Sequence, residues 1–236
     1  MNRWYVLMIN AVLLSVACQK KCPVCPDPVP ATATNHIKNP IVSISTLANT
    51  DYTFQGKKYI IDSYIANYST DTVGNYGTAT SLYTSAWTYS GSDVEIYAMI
   101  RFDYSSLPTN AIIKSAFLTL YADTTDVLPV NNGHYGNGVD SSVISNITST
   151  WSELGVTWDN RPSSTALNQV KIKPTITSND SLYIDVTNLV KDQLNTTNYG
   201  FQLALLDFTP YQRLYFYSSD EPTYINLIPK LVIKLQ

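Results

Sequence analysis

Charge is scarce in this chain: Asp, Glu, Lys and Arg make up 14% of its 236 residues, 15 basic against 18 acidic. Neutralising a phosphate backbone needs clustered Lys and Arg, so nucleic acid is excluded as a partner. Cysteine is rarer still, and Cys18, Cys22 and Cys25 all precede the stretch able to build a core. That stretch must be held by burial rather than by disulfides. Only two histidines, His36 and His134, are present, and no nucleophile-elbow motif accompanies them. A Ser-His-Asp site would have to use His134, which falls in a glycine-rich segment and is expected to be a solvent-exposed loop residue. The Gly136-Asn137-Gly138 triplet lacks a strand-to-helix setting and reads as a mobile turn, not a phosphate loop.

Long hydrophobic runs are missing too, except at the start. Arg3 precedes a mostly apolar run from Trp4 to Ala17, interrupted by Asn10. It is too short to cross roughly 30 Å of hydrocarbon, so residues 1–17 read as an export signal. Small Ala17 before Cys18 fits a lipoprotein signal, in which Cys18 receives the lipid and becomes the new N-terminus. The alternative is an ordinary signal cleaved nearby, leaving Cys18 a free thiol. The lipidated form is adopted, which places the protein at a bacterial cell envelope, with the outer membrane expected. Residues 18–40 then form a tether carrying Pro23, Pro26, Pro28, Pro30 and Pro40. Semi-extended, proline-rich chain gains about 3.1 Å per residue, so this arm reaches roughly 60 Å. Cys22 and Cys25 within it are expected to be a local disulfide or idle thiols, because a redox pair needs a helix N-terminus that is absent there.

What is abundant is tyrosine: 18, with four tryptophans, against six phenylalanines. Rings with a polar tip suit half-exposed sheet faces and wet interfaces. From residue 41 to 236 the chain is long enough for one domain with a substantial core. Strands are expected at 41–46, 59–65, 80–84, 95–102, 115–122, 142–147, 182–186, 200–206, 213–217 and 230–235. Within 95–102, Ile96, Ala98, Ile100 and Phe102 alternate with Glu95, Tyr97, Met99 and Arg101, the period of a half-buried strand. Leu214 and Phe216 likewise oppose Arg213, Tyr215 and Tyr217. One short helix is expected, capped by Thr187, with Val186, Val190 and Leu194 on one stripe. Many short strands and one helix make an all-β, antiparallel β-sandwich.

The most informative segment is Thr150–Pro162, TWSELGVTWDNRP. Thr150 and Glu153 have capping-box spacing, predicting one helical turn from Thr150 to Gly155. Other fragments follow the same order as a known pattern: DSYI at 62–65, NYG at 75–77, IRFDYSSLP at 100–108, SAFLTLYA at 115–122, YIDVTNLVKDQL at 183–194, YGFQLAL at 199–205, YSSDEP at 217–222 and PKLVIKL at 229–235. Together they resemble the DNRLRE-domain family of extracellular carbohydrate-binding modules. The resemblance implies a jelly roll, a role for Trp151 and Trp158 in packing a turn onto the sandwich, and polysaccharide binding without cleavage. The family is associated with acidic polymers such as alginate, whereas the low Lys and Arg content counts against strongly polyanionic glycans, so the sugar stays open.

The residues themselves also favour sugar. Pyranose C–H faces stack on aromatic planes, and hydroxyls pair with Arg, Asn and Asp. Tyr97 and Arg101 from one strand, Arg213, Tyr215 and Tyr217 from another, and Trp87, Tyr89 and Tyr135 from loops at 85–93 and 123–140 form the expected carbohydrate site. Arg101 also suits a structural ion pair, and Arg161 suits either loop carbonyls or a ligand. The acids Asp103, Asp159, Asp185, Asp220 and Glu221 give no reason to place a catalytic pair, so no enzyme is expected. Asp220 and Glu221 read as a solvated turn. Cofactors are not expected, although Asp123, Asp126, Asn131 and Asp140 are oxygen donors of the type a structural calcium prefers. The expected partners are polysaccharide and, through the N-terminal lipid, a membrane; the protein is expected to be monomeric. The rival readings are an adhesive module that contacts proteins and, less favoured, a polysaccharide-degrading enzyme.

Overall fold

Period-two alternation becomes a two-sheet sandwich in the computed structural model, which describes residues 50–68, 70–125 and 133–236. Eleven antiparallel strands and one helix run through them: β1 Asp51–Gln55, β2 Ile60–Ala66, β3 Ser81–Tyr89, β4 Ser92–Phe102, β5 Ile113–Leu120, β6 Ser142–Ile147, β7 Ser164–Ile172, β8 Leu182–Asp185, α1 Thr187–Asn195, β9 Phe201–Leu205, β10 Gln212–Tyr217 and β11 Lys230–Leu235. One sheet has the order β1-β11-β5-β8; the other runs β10-β3-β4-β9-β6-β7, with β2 also on β4. The all-β antiparallel sandwich expected from sequence is the observed fold. The expected strand 41–46, the tether and Cys18 lie outside the described residues.

β4 organises the larger sheet because it pairs along both edges. Ile96 pairs with Ala66 of β2 and with Ser85 of β3, while Ala98 pairs with Tyr64 of β2 and Leu203 of β9. So β2 follows one edge, and β3 and then β9 share the other. Ala98, Ile100 and Phe102 enter the main core with Phe201, Leu203, Leu214 and Phe216. The four-stranded sheet closes that core with Phe54, Leu118, Leu231 and Ile233. Each such side chain contributes about 1.5–3 kcal/mol on burial, and no disulfide is needed.

Several local expectations shift in register. Residues 85–93 are not a loop: β3 and β4 meet in a two-residue turn at Ser90 and Gly91, whose φ values are 52° and 82°. Positive φ at both central positions is the hairpin geometry that matches strand twist, and Ser-Gly supplies it without the usual Asn-Gly signature. β7 escapes alternation because Asn168 has φ 55° and the pairing with β6 shifts between Ile144 and Asn146. Helix α1 begins at Thr187, but Thr187 is not its cap. Asp185 accepts from the Thr187 N–H at 2.9 Å, and the Thr187 hydroxyl accepts from the Ala116 N–H at 2.9 Å, tying the helix to β5. Its buried stripe runs through Val186, Leu189, Val190 and Gln193, and Leu194 is 41% exposed.

The Thr150–Pro162 segment closes on itself, two residues later than the capping box predicts. Gly155 and Val156 N–H both donate to the Ser152 carbonyl, at 3.2 and 2.9 Å. Asn160 donates to the Gly155 carbonyl at 2.9 Å and accepts from the Thr157 N–H at 2.7 Å. Arg161 donates to the Trp158 carbonyl at 2.7 Å with its guanidinium 4.2 Å from that indole, so it holds the loop. Trp151 is buried and donates to the Tyr199 carbonyl at 2.7 Å, joining Ile65, Met99, Ile147 and Val156 in a second core. The Asn75-Tyr76-Gly77 stretch clamps this turn from outside: Asn75 donates to the carbonyls of Glu153 and Val156 at 2.8 and 2.7 Å. A Cβ at Gly77 would lie 2.0 Å from the Glu153 carbonyl oxygen. Gly77→Ala is therefore expected to destabilise the domain by about 1–3 kcal/mol through overpacking, read as a lower denaturant midpoint at unchanged slope.

Candidate functional site: an aromatic groove

Tyr64 of β2, Tyr83, Ser85 and Trp87 of β3, Val94 and Ile96 of β4, and Arg213 and Tyr215 of β10 share one side of the curled sheet by register. They line an open groove of about 690 Å³, within the range of ligand sites. Buried Val94 and Ile96 pack against Tyr64, Tyr68, Tyr76 and Tyr83. Here the side of β4 that reads as core changes role: residues 94 and 96 face the groove, and residues 98, 100 and 102 face the main core.

The rings brace one another. Tyr64 stacks on Tyr76 with centroids 4.3 Å apart and 13° between planes, and meets Tyr83 at 4.3 Å; Tyr83 meets Tyr215 at 5.3 Å. Such pairs contribute about 0.5–1.5 kcal/mol beyond area burial. Burial pushes the Tyr64 hydroxyl up to about 12 and the Tyr83 hydroxyl well above its usual value. Both are neutral phenols at physiological pH, able to donate and accept. Tyr89 is 50% exposed at the hairpin end, its ring 5.4 Å from Tyr68. Trp87 stands between Tyr135 and Tyr211, at 5.5 and 5.1 Å.

A neutral imidazole supports the β10 side. His134 is buried, not the exposed loop residue expected. Its Nδ1 accepts from the Tyr215 N–H at 2.9 Å and its Nε2 lies 2.7 Å from the Asp180 carbonyl oxygen, so the proton sits on Nε2. Burial lowers its pKa, which keeps this acceptor available. Tyr135 and Arg213 exchange backbone hydrogen bonds, both 2.8 Å. The Arg213 guanidinium lies 4.6 Å from the Tyr215 ring and donates to the Gly133 carbonyl at 2.8 Å.

Of the eight expected site residues, Trp87, Tyr89, Arg213 and Tyr215 line this groove, and Tyr135 adjoins it through Trp87. Tyr97 and Arg101 do not join them. They lie on the opposite side of β4, which the Thr150–Pro162 turn covers. The Tyr97 ring is 5.1 Å from Trp158 and 5.8 Å from Phe208, its hydroxyl donates to Glu95 at 2.7 Å, and Arg101 lies over Trp151 at 5.8 Å. Tyr217 shares a side with Arg213 and Tyr215 but is sealed, 5.3 Å from Tyr224. Tyr64, Tyr68 and Tyr83 were missed. The Tyr83-Ser85-Trp87 alternation carries the signal only along a strand that runs past residue 84, as β3 does.

The oxygen donors considered for calcium are spent separately. Asp123 accepts from the Ser81 hydroxyl at 2.7 Å and the Thr125 N–H at 2.9 Å; Asp140 accepts from the Thr175 N–H at 2.7 Å and from its hydroxyl. Asp126 and Asn131 lie outside the described residues. A different acidic group forms instead: Asp62, Glu153 and Asp220 bring carboxylate oxygens within 4.8 Å of one another, and Lys57 bonds Glu153 and Asp220 at 2.7 Å each. So Asp220 lies in the expected turn after β10, but as an ion-pair partner rather than as a solvated group. Lys57 thereby ties the segment before β2, the tryptophan turn and the segment after β10 together.

An antiparallel sandwich with a solvent-open, aromatic-lined groove is the construction of a ligand-binding module. The chain belongs to carbohydrate-binding module family 96, whose family description matches residues 53–234. No curated protein matches it. The family supports carbohydrate binding and a polysaccharide partner, and its members are binding modules, generally non-catalytic.

Burial raises the Asp62 carboxyl to about 7, against partial relief from the Ser219 N–H and Lys57. A carboxyl with a folded pKa above its unfolded value binds more protons when folded, so stability falls as pH rises from about 4 to about 7. At 1.36 kcal/mol per unit, Asp62 contributes a loss of up to about 4 kcal/mol across that window. Asp62→Asn, which keeps an oxygen for the Ser219 N–H, is expected to flatten the decline in denaturant unfolding profiles taken over those pH values.

Proposed function

We propose that the protein is a lipid-anchored, exported polysaccharide-binding module of the DNRLRE type, which holds glycan in the tyrosine groove without cleaving it. The observation that carries this reading is the groove itself: rings braced by neighbours, an apolar floor, and neutral hydroxyls at the edges. Sugar C–H faces lie on the rings of Trp87, Tyr89 and Tyr215, and sugar hydroxyls pair with phenols and with Ser81 and Thr88. The described lining offers groups that bind and orient rather than a carboxylate pair set to transfer protons. A few stacked rings and hydrogen bonds give micromolar to millimolar affinity, roughly −4 to −8 kcal/mol, and crowding on a surface compensates for weak single sites.

The anchor rests on the sequence alone: Arg3, the apolar run to Ala17, and Cys18 at the signal boundary. Lipid on Cys18 would hold the domain at the cell envelope, with the outer membrane favoured, at the end of the proline-rich arm, as a monomer. Palmitate labelling checks it. Label is expected on the natural chain and lost on Cys18→Ser; retained label rejects the site.

Groove residues can be separated from packing residues by substitution. Tyr89→Ala and Trp87→Ala are each expected to weaken glycan retention about tenfold, the equivalent of roughly 1.4 kcal/mol, while Tyr89→Ala leaves the thermal midpoint unchanged. Tyr97→Ala is expected to lower the midpoint, because it removes a ring from under Trp158, and to leave retention by the folded fraction intact. Affinity electrophoresis paired with thermal unfolding measures both quantities.

A further inference from the structure

We infer that the groove selects uncharged polysaccharide, made of neutral hexopyranose or N-acetylhexosamine units, over uronate and sulfated polymers. This rests on the groove being the glycan site and goes further by fixing the chemical class of the ligand. Three features of the groove lead to it.

The described lining consists of tyrosine, tryptophan, small apolar residues, serine and threonine, with Arg213 as its one charged member. Arg213 is only 7% exposed, and its guanidinium is committed to the Gly133 carbonyl and to the face of Tyr215. A carboxylate or sulfate recognised in a groove normally meets a forked guanidinium or an ammonium whose donors are presented to it. Arg213 instead gives a donor to the Gly133 carbonyl, keeps its Nε buried and braces a ring.

Charges bordering the groove have the wrong sign for a polyanion. Asp123 accepts from the hydroxyl of Ser81, which lines the groove, so an acid lies directly behind that wall. Asp71 pairs through its backbone with Tyr68, another lining residue, and adds to burial in raising the pKa of Tyr76, which backs Tyr64. The chain as a whole carries a formal net charge of −3, and loss of Arg3 with the signal makes it more negative. Stripping water from an anionic sugar beside these carboxylates costs both its solvation and like-charge repulsion, with no cation presented in return by the described lining.

Neutral saccharides avoid both costs. Their C–H faces match the floor of Val94 and Ile96 and the rings above it, and their hydroxyls find neutral phenols that can donate and accept. Binding of this kind carries no ion pairs, so it is insensitive to ionic strength.

The test uses the full chain in affinity electrophoresis and calorimetry. The uncharged panel is cello-, manno-, xylo- and chito-oligosaccharides and their polymers; the charged panel is alginate, polygalacturonate and heparin. Both are run at about 0.01 M and about 1 M salt, which spans Debye lengths of about 30 Å to about 3 Å. The expected result is retention by at least one uncharged polymer, changed less than twofold by salt and lost in Tyr89→Ala. Preferential binding of a charged polymer, weakened by salt and also lost in Tyr89→Ala, overturns the uncharged class and leaves the groove as a glycan site. Binding that survives both Tyr89→Ala and Trp87→Ala overturns the groove as the site. Silence across both panels overturns the glycan reading itself.

Discussion

Pairing of β4 along both of its edges is the constraint from which the rest of the structure follows. Ile96 has partners in β2 and β3 at once, and Ala98 to Ile100 have partners in β2 and β9. With both rows of backbone groups satisfied, the strand cannot slip without losing two ladders. Its side chains are then fixed on two sides. On one, Val94 and Ile96 underlie tyrosines and Ala98, Ile100 and Phe102 fill the main core; on the other, Tyr97 and Met99 meet the tryptophan turn. One strand thus positions a groove, a core and a turn, and the handover along its first side happens because β3 leaves its edge where β9 begins.

The tryptophan turn keeps the second side of β4 dry. Its loop is closed by Asn160, Arg161 and the Ser152 carbonyl, and its two indoles lie against Tyr97, Arg101 and the Tyr199 carbonyl. Asn75 and Gly77 hold the turn from one direction, and Lys57 through Glu153 from another. Tyr76, between Asn75 and Gly77, stacks on Tyr64 in the groove. Three consecutive residues therefore fasten the turn and brace the binding surface, which makes the rings of the groove part of a rigid assembly rather than a loop that must order on binding.

Electrostatics support the same division of labour. Polar groups around the groove are neutral: His134 because burial lowers its pKa, and Tyr64 and Tyr83 as phenols whose pKa burial raises further. The close cluster of carboxylates is placed away from the groove lining, where Lys57 joins Glu153 and Asp220 beside buried Asp62. The groove is left to dispersion and neutral hydrogen bonds, interactions that recognise shape and hydroxyl pattern rather than charge.

Alternation is a property of a short length of backbone, so it could be read directly. Both sides of β4 and the Arg213-Tyr215-Tyr217 side of β10 follow from it, while the family resemblance rests on the ordered fragments. Trp87, Tyr89, Arg213 and Tyr215 were found as residue types and then proved to share a groove. What local sequence did not hold was which face would be covered. Tyr97 and Tyr215 look alike along the chain; Tyr97 is covered because residues 150–162 fold back over it, and Tyr215 stays at the groove because β10 borders β3 there. Edge strand β7, broken by the kink at Asn168 and touching the core only through Val170 and Ile172, left no periodic trace. Sequence by itself determined the class of fold, the stock of rings and the shortage of charge; tertiary structure alone decided which rings meet water, because coverage depends on contacts between residues far apart in the chain.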